Sequence, residues 1–94
     1  MTNKKGREEA ISKLKFIENR LRGACNATAP SRRSLEPKIR NLEEYIDIAT
    51  DLHLKYFNDQ KEDEVRNELD EEFNGALDSA EEILYSAKEK LDTN

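Results

Sequence analysis

The sequence predicts an all-α fold, an elongated antiparallel three-helix bundle that is equally a helical coiled-coil hairpin preceded by an N-terminal helix. Three observations carry this. Apolar residues recur at alternating steps of three and four along most of the chain, and no window alternates with the period of two that a half-buried strand needs. Charged residues make up 39% of the sequence and AVILMFWYC residues 35%, enough to fill one narrow seam but not both faces of a sheet. At 94 residues the chain is one domain, spanning 1–94, with no internal repeat and no low-complexity segment.

The first helix is read over about residues 4–25 from Ala10, Leu14, Ile17, Leu21 and Ala24, spaced as one helical face and widened by Ile11 and Cys25. Phe16 falls among polar neighbours and is expected off the seam. Gly23, Pro30 and the loss of periodicity from Asn26 to Arg33 mark the first turn. Ser34 is a suitable N-cap with Pro37 in the first turn, so the second helix is expected over about 34–57. It carries the most regular stripe, Leu35, Ile39, Leu42, Ile46, Ala49, His53 and Tyr56, and a second one of Tyr45, Ile48 and Leu52. Two stripes on one helix require two neighbours, which makes this helix the middle of three.

Asn58 to Asp63 is short and polar, and Asp59 with Glu62 has capping-box spacing, with Asp63 as the alternative cap. The third helix is read over about 60–92 from Val65, Leu69, Phe73, Ala76, Ala80, Ile83, Ala87 and Leu91, flanked by Leu77 and Leu84. Gly75 inside it implies either close approach of a neighbouring backbone or a local bend. Lengths of about 30, 35 and 45 Å follow from the rise per residue, so the third helix overhangs the first. The fold is expected to rest on Leu14, Ile17, Leu21, Ile39, Leu42, Ile46, Leu69, Ile83 and Leu84.

Chemistry-bearing residues are sparse. His53 is the single histidine and sits in a seam; the reading favoured here is a partly exposed ring packed near a helix end, and a pH-sensitive core residue setting register is the alternative. It lacks the Glu three positions earlier that a di-iron bundle needs, so no metal and no cofactor is expected. Cys25 has no disulfide partner and reads as a small buried hydrophobe. Asn26-Ala27-Thr28 fits a glycosylation acceptor but no secretory segment precedes it. Adjacent carboxylates such as Glu43/Glu44 and Glu71/Glu72 come without a nucleophile or a phosphate loop. Neither catalysis nor a small-molecule substrate is expected, and an intracellular, cytoplasmic location is the default.

Charge is the most informative feature. The net charge of −5 hides eleven basic and four acidic side chains in residues 1–40 against five basic and seventeen acidic in residues 41–94. Folding as a bundle gathers Arg20, Arg22, Arg32, Arg33, Lys38 and Arg40, with Lys88 and Lys90, at one pole and the acidic residues from Asp59 to Glu72, offset in part by Lys4, Lys5 and Arg7, at the other. The arginines Arg20, Arg22, Arg32, Arg33 and Arg40 are the candidate partner-binding residues. Protein contact or self-association is the expected use. Nucleic acid or an anionic membrane is the rival use of the same pole, disfavoured by a pI of about 5.0 and by the lack of interleaved aromatics. A plain coiled-coil dimeriser is a third reading.

The order of features also resembles a known family. The basic helix containing Lys13-Leu14-Lys15-Phe16-Ile17-Glu18-Asn19-Arg20-Leu21, then Leu35, Ile39, Leu42-Glu43 and Tyr45, then an acidic helix with Ala80, Tyr85, Ala87-Lys88 and Leu91, resembles the N-terminal Gag region of BEL/Pao-type LTR retrotransposons over about residues 7–92. The resemblance implies a non-enzymatic role in assembly or protein interaction, in a segment that lies ahead of capsid, nucleocapsid and protease parts of a polyprotein.

Overall fold

A computed structural model describes residues 4–27 and 31–93 of the chain. Three helices, α1 (Lys4–Cys25), α2 (Arg32–Asp59) and α3 (Asp63–Thr93), pack each against the other two, and the described residues contain no strand. The predicted three-helix bundle is therefore the fold. It is a rod of 48 × 21 × 16 Å.

α1 has the predicted bounds. α2 starts two residues before the predicted 34, because Ser31 and not Ser34 is the N-cap: its hydroxyl accepts the Ser34 N–H at 3.1 Å, from extended backbone. Ser34 lies inside the helix, where its carbonyl accepts from Lys38 Nζ at 3.3 Å. Residues 28–30, with Pro30 and the Thr28 of the glycosylation acceptor, lie outside the described residues. Pro37 is the sixth residue of α2 and not in its first turn as expected, and it has no N–H to give to the Arg33 carbonyl.

At the other end α2 runs on to Asp59, so Asp59 caps nothing, and α3 starts at Asp63 rather than 60. The turn between them is held by Arg66, whose Nε donates to the Gln60 carbonyl at 2.7 Å while its guanidinium sits 5.6 Å from the Phe57 ring centroid. The Gln60 N–H closes the end of α2 on the Phe57 carbonyl at 3.1 Å.

The core is one layer of side chains. Leu14, Leu21, Leu35 and Leu42 are fully buried, and Ile17, Ile39, Ile83 and Leu84 are buried with them. Ala49, Ala76, Ala80 and Ala87 let the helices approach closely. Ile46 and Leu69 are only half-buried, a correction to their expected place in the core, although each keeps the three-four spacing of its helix stripe. Phe16 is 61% exposed, off the seam as expected. Gly75 is exposed and a Cβ there would meet nothing within 4 Å, while α3 continues through it as one helix. Close approach inside the bundle does not explain it.

Two stability outcomes follow. Leu42→Ala opens a cavity in the single core layer and is expected to cost about 2–5 kcal/mol in urea unfolding. Gly75→Ala, in an open position of a helix interior, is expected to stabilise by about 0.5–1 kcal/mol and to raise the melting temperature.

Candidate functional site

The antiparallel order of the helices brings the end of α1, the start of α2 and the end of α3 to one pole. From residue 20 to residue 40 the chain carries six cations and one carboxylate, Glu36. The five candidate arginines are gathered there but are not equivalent. Arg22 Nη2 donates to Glu18 Oε1 at 2.8 Å, and Arg32 is paired with Glu36 at 3.5 Å and reaches the Leu91 carbonyl at 3.4 Å. Arg20 lies over the Phe16 ring, 5.9 Å from its centroid. Arg33 and Arg40 are exposed and have no partner among the described residues. Between α1 and α2 an open groove of about 430 Å³ is lined by Ile17, Arg20, Pro37, Lys38, Arg40, Asn41 and Glu44, so Arg20 and Arg40 share one docking surface.

Helix physics accounts for Arg22, in the last turn of α1, but not for Arg32 and Arg33. A helix N-terminus carries partial positive charge, and cations there are unfavourable by about 0.3–1 kcal/mol each. α2 nevertheless opens with Arg32 and Arg33, has no acidic residue in its first turn and no basic residue in its last. α3 follows the ordinary rule, with Asp63 and Glu64 first and Lys90 last. The opposite pole gathers eight carboxylates and two cations between residues 59 and 72. Of these, Glu64, Glu68 and Glu71 form an exposed stripe at steps of four and three with no ion partner among the described residues.

Three polar side chains are buried among the described residues, Arg7, Glu18 and His53, and the sequence reading missed the first two. Glu18 is 4% exposed and accepts from Arg22 and from the Ser79 hydroxyl, joining α1 to α3. Arg7, 2% exposed, meets α2 and α3 together: Nε donates to His53 Nδ1 at 3.2 Å, Nη1 to Glu72 Oε1 at 3.0 Å, and Nη2 to the Leu69 carbonyl at 2.9 Å. His53 is accordingly not the partly exposed ring expected; it is 2% exposed, stacked on Phe73 with centroids 4.3 Å apart, and its Nε2 lies 3.3 Å from Asp70 Oδ1. Burial holds the His53 pKa below its ordinary value and the Arg7 charge adds to this, against the pull of Asp70 and Glu72. Cys25 is buried as expected, and burial raises its thiol pKa against the opposing charge of Lys90.

Among the described residues no three His, Cys, Asp or Glu side chains are placed to share a metal ion, and no helix is long and apolar enough to cross a membrane. No family model, curated protein or solved structure matches this chain.

The two classes of arginine are separable by stability. Arg22→Ala leaves the buried Glu18 carboxylate with Ser79 as its remaining partner and is expected to cost about 1–3 kcal/mol by urea unfolding. Arg33→Glu reverses an unfavourable charge at the start of α2, so the melting temperature should hold or rise.

Proposed function

We propose that the chain is a non-catalytic assembly or protein-interaction module that docks through its charged poles, as its resemblance to a retrotransposon Gag N-terminal region also suggests. One observation carries this reading. An exposed, unpartnered arginine, Arg33, stands in the first turn of α2 where it costs helix stability, with the unpartnered Arg40 about two turns further on, and exposed carboxylates without an ion partner among the described residues stand at the other end of the rod. Charges kept against local stability mark a surface selected for something other than folding. The simplest complementary partner is a second copy, its Glu64, Glu68 and Glu71 stripe facing Arg20, Arg33 and Arg40. Such a contact is head-to-tail and does not close on itself, so it adds copies in a row.

The same arginines could equally face phosphate, and the groove shared by Arg20, Lys38 and Arg40 is the observation that favours this second reading. Salt separates neither, since both contacts are screened within a Debye length of about 10 Å at 0.1 M. Binding partner does.

Light scattering across a concentration series is expected to show mass rising above the 10.9 kDa monomer at low salt and falling back at high salt. The double variant Arg33→Gln/Arg40→Gln and the double variant Glu64→Gln/Glu68→Gln should each remain monomeric alone. Mixed, each retains one intact pole, and they should form a dimer and nothing larger. A monomer at every salt concentration overturns self-association; if RNA or anionic vesicles then bind and Arg33→Gln/Arg40→Gln abolishes it, the phosphate reading takes its place.

A further inference from the structure

The layer formed by Arg7, His53, Asp70 and Glu72 lies outside the docking surface at the basic pole and has a chemistry of its own. Arginine has N–H groups only and no acceptor, and its guanidinium stays charged at any pH a folded protein meets. The nitrogen that Arg7 Nε faces at 3.2 Å must therefore be an acceptor, which leaves His53 Nδ1 without a proton. The neutral ring then carries its hydrogen on Nε2 and donates it to Asp70 Oδ1 at 3.3 Å. One tautomer of one protonation state satisfies both contacts.

Adding a proton changes this. The imidazolium has N–H at both nitrogens, so Nδ1 turns from acceptor into donor directly opposite Arg7 Nε–H. Two cations then share a site where both side chains are 2% exposed. The groups that bear on the ring are Arg7 from α1, Phe57 from its own helix α2, and Asp70, Glu72 and Phe73 from α3. Asp70 and Glu72 favour the added proton; both are more than half exposed at their side chains and so weakened by water, whereas Arg7 is enclosed.

The beginning of α1 buries few side chains. Its first turn has no acidic residue and begins Lys4-Lys5-Gly6, cations and a glycine at the positive end of the helix dipole. Within residues 4–11 the buried side chains are Arg7, Ala10 and Ile11. Arg7 alone among these reaches α2 and α3 by hydrogen bonds.

We propose that Arg7 and His53 form an acid-sensitive latch, closed while His53 is neutral, whose protonation releases the first two turns of α1 from α2 and α3 while the rest of the bundle stays folded. The carboxylates of Asp70 and Glu72 are then freed to solvent, and the face of α2 and α3 around Phe57 and Phe73 is uncovered. The device is independent of what docks at the arginine pole.

The direction with pH is fixed by linkage. The folded ring gives up its proton more readily than the unfolded one, whose pKa is about 6.5. The stability it lends is complete above that pH and is lost as pH falls through the folded value, with the opening constant rising by up to about tenfold per pH unit for one proton.

The test is amide hydrogen exchange by NMR on the full chain between pH 7.5 and 5, beside the non-titrating variant His53→Asn, which keeps an acceptor for Arg7. Protection in residues 8–11, the first amides of α1 with a carbonyl partner inside the helix, is expected to fall with acid relative to His53→Asn at the same pH, while α3 from Ala76 to Ala87 keeps its protection. Nitrogen shifts of His53 in the unmodified chain should show Nε2 protonated and Nδ1 bare at pH 7.5. A protonated Nδ1 at that pH overturns the latch, as does loss of protection in all three helices at once. Arg7→Met provides the second variant: with the opposing cation gone and Asp70 left, acid should destabilise it less than the unmodified chain. An acid response as steep in Arg7→Met assigns the effect to burial of the ring alone and removes Arg7 from the mechanism.

Discussion

The bundle is governed by a shortage of apolar side chains. With 35% of the sequence apolar and three helices to cover, the core is one layer thick in a rod whose shorter axes are 21 and 16 Å. A single layer leaves no second shell to compensate for a misplaced residue, so leucines fill the middle, alanines bring helices close, and places the hydrophobes do not reach are filled by hydrogen-bonded polar groups. Arg7 with His53 and Glu18 with Ser79 are those places. No buried side-chain nitrogen or oxygen among the described residues lacks a partner, which is the condition for placing polar groups in so thin a core.

The helices and the seam were legible because the three-four alternation is unbroken and the turns carry proline, glycine and polar clusters. The buried polar residues were not read, although the same periodicity points to them. Stepping three back from Ala10 lands on Arg7, and Ile11, Leu14, Glu18, Leu21 and Cys25 form an alternation in which Glu18 is a regular member. A charged residue on an apolar stripe is easily passed over as a break in the pattern; the partners of Arg7 lie 46 to 65 residues away, where local spacing cannot reveal them, although Arg22 stands only four residues from Glu18. The start of α2 was misplaced for a related reason. Ser31 and Ser34 are both competent caps, and the choice depends on which hydroxyl finds a free N–H.

The pole of arginines was legible as composition, and its internal differences were not. Sequence places five arginines together; Arg22 with Glu18 and Arg32 with Glu36 are pairs at helical i, i+4 spacing, and the structure leaves Arg33 and Arg40 unengaged. The contrast between α2 and α3 sharpens the point. In α3 acids lead and a base follows, in line with the helix dipole; α2 opens with Arg32 and Arg33 against it.

Regular seams carry an ambiguity of their own, because a three-four stripe slid by one heptad against its neighbour still meets apolar residues. Hydrophobic contact alone discriminates weakly among such registers. The polar layers discriminate strongly. Shifting α1 by two turns against α2 and α3 takes Arg7 away from His53, Glu72 and the Leu69 carbonyl and leaves a guanidinium buried with none of its partners, and takes Glu18 away from Ser79 at the same stroke. Breaking a buried charged pair costs about 3–5 kcal/mol, more than the same pair contributes when intact. In a core one layer thick that penalty falls on the wrong arrangements and spares the right one. Two polar contacts about three turns apart on α1 thereby fix its height against α3, and with it the positions of the arginines at one pole and the carboxylates at the other.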